Sequence, residues 1–167
     1  CGEEATVKLQ QARVAVAGLG GLGSNIAILL TRMGVGNLHL IDFDKVDYSN
    51  LQRQQYFVEQ VGAYKVEALV ETLRKINPYV NLRLSCVKVN EENLPELLVE
   101  DEIICEAFDK AEAKAMLVNG VLEHFPGKVI VAGSGMAGLG AGNLIQARRV
   151  SKSLYLCGDG GSTCEEA

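Results

Sequence analysis

The sequence predicts an α/β protein with a Rossmann-like, doubly wound and mostly parallel sheet that is followed by antiparallel C-terminal strands. The first observation is that short apolar runs rich in β-branched residues alternate with segments of helical period as far as Ala132. The second is that the first apolar run leads directly into a glycine-rich turn and a helix start. Ligands in such sheets bind beyond the carboxyl ends of the strands, so we expect the site there.

The first unit of strand, helix and strand is the most informative part of the chain. We predict a strand at 13–17, a helix at about 22–32 and a second strand at 37–42. After the first strand, Gly18 permits a turn, Gly20 lets the backbone approach a phosphate and Gly23 allows close packing of helix and strand. Together with Gly21 they form a predicted phosphate cradle at a helix N-terminus. Asp42, about 20 residues further on, would accept hydrogen bonds from a ribose.

The rest of the chain continues the alternation. We expect a helical lead-in at 1–11, helices at 63–76, 93–99 and 111–125, strands at 82–87, 102–107 and 128–132, and antiparallel strands at 144–149 and 153–156. The strand at 82–87 is half polar, which favours a place near an edge of the sheet. Residues 133–143 contain five glycines and are either a second phosphate loop or a mobile connector to the antiparallel strands.

Composition limits the class of protein. The 167 residues, 48% of them hydrophobic, are enough for a single domain, 1–167, with its own core. A net charge of −5 argues against a nucleic acid or an anionic membrane as partner, since either would need a basic face. No apolar run is long enough to span a bilayer, and no targeting signal is visible. Five scattered cysteines without a Cys-x-x-Cys pair indicate reduced thiols, so we expect a cytoplasmic protein.

Motifs after the glycines narrow the function. A glycine turn followed by an acid is by itself typical of enzymes that bind NAD or FAD. Four further motifs occur in order: Met33-Gly-Val-Gly-Asn-Leu, Ile41-Asp-Phe-Asp-Lys-Val-Asp-Tyr-Ser-Asn-Leu-Gln-Arg-Gln, Val61-Gly-Ala-Tyr-Lys-Val-Glu-Ala and Ile76-Asn-Pro. With them the chain resembles, from about Leu9 to about Cys157, the ThiF/MoeB family of adenylating enzymes, which are related to the ubiquitin-activating enzymes. The Gly-Ser-Asn cradle and Phe108-Asp-Lys-Ala-Glu-Ala-Lys make it most similar to the small ThiF proteins of thiamine biosynthesis.

This resemblance implies an adenylylation reaction. The C-terminal glycine of a small ubiquitin-like sulfur carrier that ends in Gly-Gly would attack the α-phosphate of ATP, with Mg²⁺ present. The carrier would be ThiS of thiazole synthesis or, alternatively, the molybdopterin-synthase carrier. The attacking carboxylate is already ionised at neutral pH, so catalysis would consist of charge neutralisation and alignment. The family also implies a homodimer, and a C-terminal segment after Ala167 that is missing or disordered here.

The resemblance also assigns roles to individual residues. Arg53 would contact the triphosphate, Lys65 would reach the phosphates and Asp109 would hold magnesium. Lys110 stands where the family has an asparagine. The remaining nucleotide contacts would come from polar side chains of the second motif, namely Asp42, Asp44, Asn50 and Gln54.

Structural alternatives stay open for three of these residues. Arg53 would otherwise be a solvated surface arginine. Lys65 would otherwise lie on a helix face and pair with Glu67 or Glu71, and Asp44 would cap the turn that follows it.

No zinc site is expected, because Cys157 and Cys164 have no second pair of cysteines to complete four ligands. Cys164 is either a residue for sulfur transfer or a free thiol without a role, and nothing basic nearby would activate it. No residue matches the N-terminal arm from which some relatives supply an arginine to the partner subunit.

Two other functions remain open. An NAD-dependent oxidoreductase would explain the glycines and Asp42, but it leaves Ser49–Gln54, Lys65 and Asp109 without a purpose. A non-catalytic module that binds a nucleotide or a carrier would tolerate replacement of any of those residues.

Overall fold

The structure, a computed structural model, describes residues 2–134 and 145–160. The strands within these residues are β1 (Arg13–Ala17), β2 (Asn37–Ile41), β3 (Asn81–Ser85), β4 (Ile103–Glu106), β5 (Val129–Ser134), β6 (Gln146–Arg149) and β7 (Leu154–Gly158). The helices are α1 (Glu3–Gln11), α2 (Gly21–Met33), α3 (Lys65–Ile76), α4 (Leu94–Leu97) and α5 (Ala111–His124).

The strands form one sheet in the order β3-β2-β1-β4-β5-β7-β6. Neighbouring strands are parallel except for β6 and β7, which are antiparallel to each other. The predicted fold class is therefore confirmed. Because β2 follows β1 on one side and β5 follows β4 on the other, the connections after β1 and β4 diverge and leave a crevice at the carboxyl edge of the sheet.

Helices cover both faces of this sheet. Val14, Val16 and Leu40 pack on one face with α2 and α3. Ala15 and Ile104 pack on the other face, with α4 and α5. Central parallel strands are buried on both sides, which is why their sequences are nearly continuous apolar runs.

Predicted and observed elements agree to within a few residues. The strand predicted at 128–132 extends from Val129 to Ser134, and the helix predicted at 63–76 begins at Lys65. The half-polar strand β3 lies at the edge, as expected. Residues 135–144, which include most of the glycine-rich stretch and its two interpretations, lie outside the described residues.

His39 of β2 is buried, and it fastens the edge strand β3 to the body of the sheet. Its Nδ1 lies 2.8 Å from Asp101 Oδ2, and its Nε2 lies 2.8 Å from Ser85 Oγ. Arg83 Nη2 also donates to Asp101 Oδ2 at 2.7 Å. None of the helices in the described part of the chain is both long and apolar enough to cross a lipid bilayer.

Candidate active site

The glycine turn, residues 18–23, joins β1 to α2 at the carboxyl edge. Gly18 has φ +90°, which L side chains rarely adopt, and its N–H donates to Ile41 O at 2.8 Å. A Cβ at Gly18 would lie 2.8 Å from Ala107 O, and a Cβ at Gly23 would overlap Gly18 O. The turn is packed so closely against itself and against the end of β4 that a larger residue does not fit at either position.

The N-terminus of α2 follows this turn directly. Gly20 is the N-cap and Gly21 the first helical residue, no side chain caps the helix, and its first turn has no acidic residue. The first N–H groups of a helix have no acceptors within the helix and carry the positive end of its dipole. They are therefore available to an anion such as a phosphate.

Side chains of α2 fasten the segment that contains Arg53, which we call the arginine segment (residues 49–55). Ser24 Oγ accepts the N–H of Gln55 at 3.1 Å. Asn25 Nδ2 donates to Arg53 O at 3.4 Å, and its Oδ1 accepts Gln55 Nε2 at 2.8 Å. Two consecutive polar residues of α2 therefore set where Arg53 lies relative to the glycines.

Arg53 and Gln54 adjoin the start of α2. A Cβ at Gly21 would lie 3.4 Å from Arg53 Cγ, and a Cβ at Gly20 would lie 3.8 Å from Gln54 Nε2. The guanidinium is exposed, and its Nη1 donates to Ser49 O at 3.2 Å. Gln54 is buried, and its Oε1 has no hydrogen-bond partner among the described residues. Such an acceptor costs about 1–3 kcal/mol, which a donor on a bound ligand would offset.

Asp42 and Tyr56 hold the backbone N–H and the backbone C=O of Leu19, on either side of its Cα, in the glycine turn. Asp42 Oδ2 accepts Leu19 N–H at 2.6 Å, and the hydroxyl of Tyr56 donates to Leu19 O at 2.8 Å. Asp42 Oδ1 accepts Asp44 N–H at 2.8 Å. Burial of the Tyr56 phenol, with the charges of Asp42 and Asp44, raises the pKa of Tyr56, so it stays a neutral donor.

Lys65 is the first residue of α3 and is 5% exposed. Its Nζ donates to Asp44 Oδ2 at 3.1 Å, and its N–H donates to Asp44 O at 2.9 Å. The alternative in which Lys65 pairs with Glu67 or Glu71 on a helix face is therefore wrong. The pair instead joins the segment after β2 to α3, with the Asp44 side chain 51% exposed beside it.

The turn after Asp44 is capped by Asp47 and not by Asp44. Asp47 Oδ1 accepts the N–H of Ser49 at 2.8 Å and its hydroxyl at 2.6 Å, and these bonds hold the pKa of Asp47 below its usual value. Asn50 Oδ1 accepts Asp47 N–H at 3.3 Å. Asn50, a predicted nucleotide contact, thus belongs to the cap that shapes the arginine segment.

Asp109 follows β4 at the same edge of the sheet. Its side chain is exposed and makes no hydrogen bond or ion pair with the described residues. Ala107 and Phe108, which precede it, lie against the glycine turn at Gly18. Asp109 therefore directly follows two residues that contact the glycine turn, and its carboxylate has no partner among the described residues.

The metal prediction can be tested against these donors. Within residues 2–134 and 145–160, no three His, Cys, Asp or Glu side chains come together as a metal site. Magnesium at a nucleotide is commonly held by one or two carboxylates and phosphate oxygens, and Asp109 fits that requirement. Cys157 is exposed, and Cys164 lies outside the described residues.

A buried ion pair that the sequence did not predict lies close to Asp109 in the chain. Glu106, the last residue of β4, has a side chain that is 0% exposed, and its Oε2 lies 2.9 Å from Lys114 Nζ. Burial raises the pKa of Glu106 in spite of the opposing effect of Lys114. A charged residue inside the apolar run Ile103-Ile-Cys-Glu-Ala107 was the signal, because charged residues are rarely buried without a partner.

Comparison with known proteins identifies the family. The model of the ThiF family matches residues 1–158. The molybdopterin-synthase adenylyltransferase of Haemophilus influenzae is 38% identical over 111 residues, which are 66% of this chain and 46% of that protein. The protein of the same name from Escherichia coli is 34% identical over 142 residues, covering 78% of this chain and 56% of that protein. The chain spans about half the length of these curated relatives.

Solved structures agree with this result. TcdA, the Escherichia coli tRNA N6-threonylcarbamoyladenosine dehydratase, has a TM-score of 0.83 and 30% identity in its complex with AMP, covering 90% of this chain and 61% of that chain. Its complex with ATP has a TM-score of 0.83 and 29% identity, covering 90% and 62%. Since the family model extends over nearly the whole sequence and the fold agrees, the chain belongs to the ThiF family.

Proposed function

We propose that this protein adenylylates the C-terminal glycine of a small ubiquitin-like sulfur carrier. The observation that carries the proposal is the attachment of the arginine segment to α2, where Ser24 and Asn25 fix the main chain of Arg53 and Gln55 beside an uncapped helix N-terminus. A hydride transfer would not require that arginine, whereas a triphosphate needs cations around it. Membership of the ThiF family supports the same interpretation.

The nucleotide fits the donors and acceptors at this edge. The N–H groups at Gly20, Gly21 and the first turn of α2 suit its phosphates, and the exposed guanidinium of Arg53 can bind two phosphate oxygens at once. Gln54 Oε1 needs a donor, which phosphates lack but ribose hydroxyls and the adenine amino group provide. Asp42, whose oxygens each have a second lone pair, is proposed for the ribose.

The reaction would be an in-line displacement at phosphorus. A carboxylate oxygen of the carrier's last glycine forms a bond to the α-phosphorus, the bond to the bridging oxygen breaks, and pyrophosphate leaves with the electron pair. No proton has to move, because the carboxylate is ionised. Arg53 and Lys65 would therefore act by stabilising charge and by alignment, and Asp44 holds Lys65 in place.

Magnesium, when bound with the nucleotide, would neutralise phosphate charge, and Asp109 is the described carboxylate proposed to hold it. Asn50 is proposed to contact the nucleotide from the capped turn.

For the partner we propose ThiS or a similar carrier of thiamine synthesis, and the molybdopterin carrier is the alternative. Relatives named molybdopterin-synthase adenylyltransferase and adenylyltransferase and sulfurtransferase UBA4 support carrier activation in general. We further propose that the protein is a cytoplasmic homodimer built from single-domain subunits, as its resemblance to the ThiF/MoeB family implies.

The decisive experiment is ATP–pyrophosphate exchange with purified protein, magnesium and, in turn, each candidate carrier that ends in Gly-Gly. We expect exchange to require the terminal glycine and to fall by at least about 100-fold in Arg53→Ala, as for loss of a main charge-stabilising group. Arg32→Ala is the matched control, since Arg32 lies near the opposite end of the same helix and should leave exchange unchanged.

Each outcome has a definite meaning. The carrier that supports exchange identifies the partner. Absence of exchange with any carrier, together with binding of NAD in preference to ATP, would refute the proposal. ATP binding that survives in Arg53→Ala, without exchange in the wild type, would indicate a non-catalytic module.

A further inference from the structure

Glu106 and Lys114 form an ion pair, which we call the Glu106–Lys114 pair, and each partner also makes a hydrogen bond to the backbone. Lys114 Nζ lies 2.9 Å from Glu106 Oε2 and 3.1 Å from Oε1, and it donates to Gly133 O at 3.3 Å. Glu106 Oε1 also accepts the N–H of Phe108 at 2.7 Å. One carboxylate and one ammonium thus join the ends of β4 and β5 to the first turns of α5.

Joining these elements through a buried ion pair costs free energy, because two charges must be removed from water. The Glu106 side chain is 0% exposed and the Lys114 side chain 27% exposed, so both charges have lost much of their hydration. Apolar residues of similar size are often as stabilising as a buried ion pair, or more so. The pair therefore calls for an explanation beyond stability.

The position of the Glu106–Lys114 pair next to Asp109 suggests a second role for it. The segment between the two residues contains Asp109, and both ends of that segment are fixed by the Glu106 carboxylate, through Phe108 N–H and through Lys114. Ala107 and Phe108 also lie against Gly18, where a Cβ would be 2.8 Å from Ala107 O and 3.0 Å from Phe108 Cδ1. Asp109 itself makes no hydrogen bond among the described residues, so its place relative to the glycine turn depends on these neighbours.

We propose that Glu106 and Lys114 are positioning residues that hold Asp109 at the distance from the glycine turn at which it can share magnesium with the phosphates of ATP. This inference rests on the proposed function, since it assigns Asp109 to the magnesium of the nucleotide. Lys114 extends the same restraint to Gly133, where β5 ends beside the site.

The test is ATP binding by calorimetry, in EDTA and in magnesium, so that no carrier or turnover is needed. We expect magnesium to tighten ATP binding by the wild type, and we expect Glu106→Gln to reduce this gain by about tenfold, as for other groups that orient a metal ligand. Binding in EDTA should change by less than about twofold, because the phosphate cradle itself is intact.

A double-mutant cycle with Asp109→Asn separates positioning from general damage. If Glu106 acts through Asp109, the double variant should lose no more of the magnesium gain than Asp109→Asn alone. Additive losses would overturn the proposal, as would a full magnesium gain in Glu106→Gln. Glu102→Gln is the control, because Glu102 precedes the same strand at its other end and makes an exposed bridge to Arg13.

Three further cases are covered. Should Glu106→Gln not fold, the double variant Glu106→Gln, Lys114→Met leaves no lone buried charge and still removes the contact with Gly133, so it must show the same loss. A wild type that binds no ATP would refute the proposed function. One that binds ATP equally well with and without magnesium would overturn this inference and leave the cradle assignment standing.

Discussion

The two sides of the carboxyl edge are held together in different ways. On the side of the glycine turn, several neutral or backbone-directed hydrogen bonds share the task, among them those of Ser24, Asn25 and Tyr56. On the side of Asp109, one buried pair of charges, Glu106 and Lys114, joins β4, α5 and β5.

This difference decides how each side responds to substitution. A neutral hydrogen bond contributes about 0.5–1.5 kcal/mol, so the loss of one bond among several is tolerated. Removal of one partner from a buried ion pair leaves an uncompensated charge and costs several times more. Two contacts on the glycine side differ from these hydrogen bonds: the close backbone contact at Gly23, which involves packing, and the pair of Lys65 with the half-exposed Asp44. Four stability measurements follow from this comparison.

The largest effect is expected for Gly23→Ala. A methyl group there would overlap Gly18 O, and backbone on both sides must shift, so we expect a loss of more than about 4 kcal/mol or no folded protein. Urea unfolding measures it, with Gly127→Ala as control, because a Cβ at Gly127 meets nothing within 4 Å. A loss below about 1 kcal/mol would show that the turn can move.

Lys114→Met should rank second. It leaves the Glu106 carboxylate buried without its cation, and we expect a loss of about 3 kcal/mol at neutral pH. Addition of Glu106→Gln should restore most of the lost stability, since both charges are then absent. Equal stability of the single and double variants in urea unfolding would contradict the comparison.

The pH dependence of Glu106 comes next. Because burial raises the pKa of Glu106 above its usual value near 4.5, the folded state binds this proton more tightly than the unfolded state. The stability of the wild type relative to Glu106→Gln should therefore grow as the pH falls from the raised pKa to 4.5, by about 1.4 kcal/mol for each unit of separation. A difference that stays constant above pH 4.5 and shrinks below it would mean that Lys114 outweighs burial.

Tyr56→Phe should have the smallest effect. It removes a single hydrogen bond to Leu19 O, while Asp42 still holds Leu19 N–H, so we expect a loss of about 1 kcal/mol. A loss as large as that of Lys114→Met would show that the glycine side also depends on one contact.

The strands of the sheet and the glycine turn could be predicted from the sequence. Apolar runs such as Val14–Ala17 are long and β-branched enough to predict buried strands, and the glycine spacing predicts the turn that Gly18 makes with φ +90°. These features depend on residues that are close in the chain.

Pairings between distant residues could not be predicted. Asp44 and Lys65 are brought together because the segment after β2 returns to the start of α3, and only that backbone path separates this pair from the alternatives at Glu67 and Glu71. Glu106 and Lys114 were overlooked because a single charge in an apolar run does not indicate which cation it meets. The roles of Arg53, Lys65 and Asp109 stay predictions, to be tested by ATP and magnesium binding and by pyrophosphate exchange.

The two sides of the site come from different stretches of the chain, so their residues are synthesised at different times. Gly18, Arg53 and Lys65 belong to one continuous stretch of the chain, and β4, which pairs with β1, is synthesised after that stretch. Domains generally fold as units, and the glycine turn packs against Ala107 at the end of β4, so it reaches its final form only when β4 is in place. The cradle and the carboxylate of Asp109 are therefore completed together, although their residues are synthesised at different times.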